Sequence, residues 1–181
     1  MAFRAFLDAC VLVPIGLTDL LLRLAEADTY RLLWSEQVLD EVERNLPKVG
    51  VEPAKAAVRV QQMRATFPDA QVTGYESLIP AMTNDPKDRH VLAAAVRGDA
   101  AVIVTANLRD FRVECLRPYD LAAVHPDDFL LDQLDLYPDQ TVQCLHEQVA
   151  AMRRPRVTIG EFVERFGNTA PRFSREVIGH L

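Results

Sequence analysis

The stretch Phe6-Leu7-Asp8-Ala9-Cys10-Val11-Leu12 decides the reading of this 181-residue chain, because it ends a short apolar run, residues 3–7, on a carboxylate. A short, mostly apolar run of that length, stopped by a polar residue, reads as a strand covered on both faces in a parallel sheet. A second run, residues 100–104, ends in the same way at Thr105-Ala106-Asn107. Shorter strands are expected at residues 30–33 and 71–73. Between these runs lie stretches with helical periodicity: residues 15–27, residues 36–46 behind a Ser35 N-cap, residues 53–67 and residues 87–97. Strands alternating with helices imply right-handed βαβ units and a three-layer α/β domain, its central parallel sheet flanked by helices.

The character changes after Tyr119. Residues 126–136, 140–152 and 159–166 are amphipathic and separated by Tyr137-Pro138 and Arg154-Pro155. The chain therefore divides into an α/β domain over residues 1–120 and a helical C-terminal extension over 121–181, which needs docking on the first part for stability. The basic run Arg153-Arg154-Pro155-Arg156 reads as a solvated helix end, with a phosphate contact as the alternative.

Composition is that of an ordered globular protein, 49% hydrophobic and 25% charged. Arg4 and Asp8 interrupt the N-terminal apolar stretch, so neither a signal peptide nor a membrane span is expected and the chain reads as cytoplasmic. Cys10, Cys115 and Cys144 are far apart with no CxxC pair, which argues against disulfides or a zinc site and for buried thiols. The net charge of −6 speaks against a phosphate-rich partner until its distribution is considered. Seven of the 26 acids, and none of the 20 Lys and Arg, fall between residues 119 and 152, which leaves the rest of the chain nearly balanced.

In an open parallel sheet, ligands gather outside the carboxyl ends of the strands. Asp8 stands at such an end. Glu41 lies at the edge of the Val38, Val42, Leu46 stripe, whereas Glu36, Asp40 and Glu43 should face water. Asp85 caps a helix with Pro86 in its first position, and Asp88, one turn in, should direct its carboxylate out of the helix mouth. Thr105, Asn107 and Asp110 follow the second buried run. Taken singly, each acid has a bland reading as a helix cap or a solvated residue. Gathered together, such acids repel and require protonation or a hard cation.

The elements FLDACVL, SEQVLDEV, DPKDRHVLAAA and VIVTANLRDF, in this order across about residues 1–120, resemble the PIN-domain family, in particular its VapC-type toxins. The resemblance implies a PIN-like fold and a metal-dependent endoribonuclease that hydrolyses RNA phosphodiesters. Asp8, Glu41, Asp88 and Asp110 would be its catalytic and metal-holding acids, the family's fourth position falling on Asn107 or Asp110, and Mg²⁺ or Mn²⁺ would be its cofactor. It further implies that Thr105, Asn107 and Arg89 contact substrate, that the RNA is tRNA or another structured RNA, and that a small antitoxin and a homodimer are the protein partners. Many relatives have Asp where this chain has Asn107, which leaves one or two metals open. Lys87 and Arg109 are further candidates for phosphate contact, and His90 reads as a structural histidine before a general base. The competing reading is a non-catalytic PIN-like scaffold binding RNA or protein. A haloacid-dehalogenase-type phosphatase would need an acid where Cys10 stands. A receiver domain would need paired N-terminal acids.

Overall fold

The computed structural model describes residues 3–181. Five strands form one parallel sheet in the order β3-β2-β1-β4-β5: β1 Arg4–Leu7, β2 Arg31–Ser35, β3 Gln71–Val72, β4 Val102–Val104 and β5 Ala122–Val124. Central β1 pairs with β2 through Ala5 opposite Leu32, and with β4 through Phe6 opposite Ile103. The connecting helices are α1 Ile15–Glu26, α2 Glu36–Asn45, α3 Pro53–Thr66, α4 Arg89–Arg97 and the single turn α5 Val113–Leu116. Phe6, Leu7, Ile103, Val104, Trp34, Leu20, Val38 and Leu92 are among the buried residues that join sheet and helices in one core.

The expected α/β layering is present. The local reasons are visible in the sequence: Ser35 Oγ accepts from the Val38 amide at 3.2 Å and starts α2 as an N-cap. At the end of α4 the chain runs so close to the sheet that a Cβ on Gly98 would sit 2.9 Å from Val72 and 3.0 Å from Leu33, which is why glycine stands there.

Three expectations need correction. The fifth strand, Ala122–Val124, falls in the stretch read above as purely helical; it is only three residues long and partly exposed, so it carries no continuous apolar signature. The helix expected from residue 87 begins as a 3₁₀ turn, Pro86–Asp88, and becomes α-helical only at Arg89. Of the three thiols only Cys144 is fully buried, because Cys10 and Cys115 sit at partly open positions.

The remaining helices are α6 Pro126–Leu136, α7 Pro138–Ala151, α8 Ile159–Phe166 and α9 Pro171–Val177. They pack on the α/β core. Gln148 of α7 donates to the Gly16 carbonyl at 2.8 Å, and Phe129 of α6 meets Tyr30 edge to face at 5.1 Å. Asp127, buried in α6, accepts from the amides of Arg172 and Phe173 at 3.1 and 2.8 Å. A carboxylate from another helix thus satisfies the orphan amides that open α9, reinforced by the helix dipole. Among the described residues, no helix is long and apolar enough to cross a membrane.

Candidate active site

The chain leaves β1 toward β2 and β3 on one side, and later returns to place β4 and β5 on the other. The strand order therefore reverses between β1 and β4. In open α/β sheets, the crevice outside the carboxyl ends at such a reversal is where ligands bind. Asp8 follows β1 and Thr105 follows β4, so both stand at this crevice.

Asp8 is only 3% exposed and is held from three sides. Its Oδ1 accepts from the Ala9 amide at 2.7 Å, and its Oδ2 accepts from the Thr105 hydroxyl at 2.8 Å and from the Cys10 thiol at 3.4 Å. The Thr105 oxygen in turn accepts from the Asn107 amide at 3.0 Å, so the β4 loop and the β1 carboxylate are locked together. Burial still pushes the Asp8 carboxyl above its usual range, outweighing these hydrogen bonds, with a smaller contribution from the negative charge of Glu41. Burial and the neighbouring Asp8 push the Cys10 thiol up to about 12, so it is a protonated donor and not a nucleophile.

Asp88 is the most perturbed acid. It lies at the N-terminus of α4 but makes no capping hydrogen bond, contrary to its capping-box-like spacing; the nearby cap bond is Asp85 accepting from the Lys87 amide at 3.1 Å. Its Oδ2 is buried without a hydrogen-bond partner. Burial first, and then the charge of Asp8, push the Asp88 carboxyl up to about 7; Lys87 opposes the rise, and the charge and side-chain contact of Asp110 add smaller contributions to it. The ammonium of Lys87 stands 3.1 Å from Asp110 and 4.0 Å from Asp88. It is an internal counter-ion for the acidic pair, and its own pKa is raised by Asp110.

Glu41 is half-buried on α2, with its Oε1 2.8 Å from Nε2 of His90. That imidazole is buried, and the contact is too oblique to satisfy either ring nitrogen as a hydrogen bond. His90 thus lies against Glu41 as a neighbour that fixes where the carboxylate can go. Asp110 is mostly covered, whereas Asn107 and Arg109 are exposed. Arg89 is half-buried and donates to the Asn84 carbonyl at 3.2 Å. Asn84 is a residue the sequence reading passed over: it is 4% exposed, and its side-chain amide donates to the Asp88 carbonyl at 3.0 Å, fixing the backbone that carries the acid.

The four acids expected from sequence are thus electrostatic neighbours, with Asp8 linked to Glu41 and Asp88, and Asp88 linked to Asp110. Among the described residues, no three His, Cys, Asp or Glu side chains close into a ready ligand shell. The donor set is one of hard carboxylate oxygens, and it includes the buried Asp88 oxygen that no protein donor satisfies.

A reversed parallel sheet with crowded carboxylates at its reversal point defines an α/β protein built around an acidic crevice. The chain belongs to the PIN domain family, whose PIN domain matches residues 4–109. A second match, described as the VapC50 C-terminal domain, covers residues 126–177. Over 101 residues the chain is 50% identical to "Putative ribonuclease VapC50" of Mycobacterium tuberculosis (strain ATCC 25618 / H37Rv), an alignment covering 56% of this chain and 60% of that protein. The chain therefore spans less than two thirds of the length of that relative. No solved structure matches it.

Proposed function

We propose that this protein is a divalent-cation-dependent endoribonuclease, the toxin of a VapBC-type pair. The observation that carries the reading is the crowding of Asp8, Asp88 and Asp110 at the β1–β4 crevice, with a buried Asp88 oxygen that has no partner. The similarity to the mycobacterial protein named as a ribonuclease supports ribonuclease chemistry. Asp8, Asp88 and Asp110 would hold Mg²⁺ or Mn²⁺, with Glu41 as the fourth acid. When bound, the cation supplies positive charge for a phosphate and makes water more acidic.

The rest of the mechanism belongs to the chain. The Thr105 hydroxyl and the Ala9 amide orient Asp8. Asn84 sets the turn that presents Asp88, and His90 confines Glu41. Lys87 pairs with Asp110 and holds its exposed ammonium at the crevice mouth, where it would meet an RNA phosphate. Exposed Asn107 and Arg109, and half-buried Arg89, stand near enough in sequence to the same loops to contact the substrate backbone. Lys87 also supplies the observation favouring the second reading, a scaffold without catalysis, because it already offsets part of the acidic charge. An antitoxin that places a basic side chain in the crevice would hold the enzyme inactive.

The test is incubation of a mixed tRNA and structured-RNA pool with purified protein in Mg²⁺, in Mn²⁺ and in EDTA, beside Asp8→Asn. Cuts at discrete positions that require metal and Asp8 support the nuclease. A folded protein that binds RNA without cutting it in any of these conditions supports the scaffold.

A further inference from the structure

The acid-rich stretch between residues 119 and 152 has no part in the crevice chemistry, yet it borders a cleft of its own. That cleft, of about 330 Å³, is lined by Phe3, Val102, Val124, Phe129, Leu136 and Tyr137, with Asp132, Asp135 and Gln133 among its polar groups. Phe3 and Val102 stand at the starts of β1 and β4, at the other end of those strands from Asp8 and Thr105. Leu136 is 69% and Phe3 45% exposed, so the apolar lining reaches open solvent.

The charge of the lining has one sign. Asp132 and Asp135 are exposed and make no ion pair among the described residues, unlike Asp128, which is paired with Arg172. Among the described residues, no Lys or Arg lines the cleft. The site therefore presents apolar surface flanked by negative charge, and its complement is apolar and positive.

That complement excludes several occupants. RNA phosphates and anionic bilayers would be repelled. A second copy docked isologously would set Asp132 and Asp135 against themselves. We propose that this cleft is a docking site for a basic segment of another protein, with one bulky apolar side chain on Phe129 and Leu136 and flanking Lys or Arg on Asp132 and Asp135. The volume is near the lower end, about 300 Å³, of ligand clefts, which suits a single anchoring side chain. The proposal does not depend on nuclease activity.

The experiment uses the full chain and a panel of fluorescein-labelled peptides, each with a central Leu, Phe or Trp flanked by Lys and Arg, read by anisotropy. At least one peptide should bind saturably, and Asp132→Asn/Asp135→Asn should weaken it tenfold or more. The variant Asp69→Asn/Glu76→Gln, which removes two exposed acids elsewhere, should leave it unchanged. Leu136→Ser, at an exposed position, should also weaken it. Equal weakening by both double variants, or no binding by any peptide, overturns the proposal. So does a concentration-dependent dimer in light scattering that Leu136→Ser abolishes, which would make a second copy the occupant.

Discussion

Replacing Asp88 by Asn should stabilise the metal-free protein at neutral pH while removing the acid the crevice most needs. In the folded chain this carboxyl titrates at about 7 instead of 3.8, chiefly through burial and then through Asp8. A folded pKa above the unfolded one means that the proton is bound more tightly in the native state. Its contribution is fully present below about 3.8 and is lost as pH rises to about 7. At about 1.4 kcal/mol per tenfold change, the ionised group costs at most about 4 kcal/mol at pH 8. Solvent at the crevice mouth and the Lys87 ammonium screen it, so we expect about 1–2 kcal/mol. For a chain of this size that is roughly 2–8 °C in Tm. Thermal unfolding in EDTA should therefore give Asp88→Asn a higher Tm than wild type at pH 8, and the gap should close toward pH 4. Added Mn²⁺ should raise the wild-type Tm and leave the variant unmoved. An Asp88→Asn protein less stable than wild type at pH 8, or a gap independent of pH, would refute the reasoning.

Other residues give separate tests. Thr105→Val removes the hydroxyl on Asp8 Oδ2 and should lower Mn²⁺ affinity about 10- to 100-fold by calorimetry, with Thr105→Ser restoring it. Asp127→Ala leaves the amides of Arg172 and Phe173 without their acceptor, and should cost about 2–3 kcal/mol in urea unfolding without altering metal affinity. Gly98→Val drives a side chain into Val72 and Leu33, and should destabilise by about 1–3 kcal/mol, seen as a lower urea midpoint.

Elements whose signal is local were legible in the sequence. The strand β1, apolar from Ala5 to Leu7, and the apolar strand β4 are stopped by Asp8 and Thr105, and α2 carries its own Ser35 cap, so their types and ends follow from residues in sequence order. Elements that depend on a distant partner were not. The strand β5 is three partly exposed residues whose identity comes from pairing with β4, and the short α9 opens on a carboxylate 45 residues away in α6. The site divides in the same way. Asp8 and Asp88 announce themselves by standing at a strand end and a helix mouth. The Lys87 ion pair with Asp110, the clasp of Thr105 on Asp8, and the contact of His90 with Glu41 join residues between 23 and 97 positions apart, and no spacing rule reaches that far.

If the carboxylates at the β1–β4 crevice form a cation-dependent hydrolytic centre, the single-turnover cleavage rate of a structured RNA should follow Mn²⁺ as it is titrated. The rate should rise to saturation in wild type and be absent in a folded Asp8→Asn protein. A rate independent of Mn²⁺, or equal in the two proteins, would rule such a centre out.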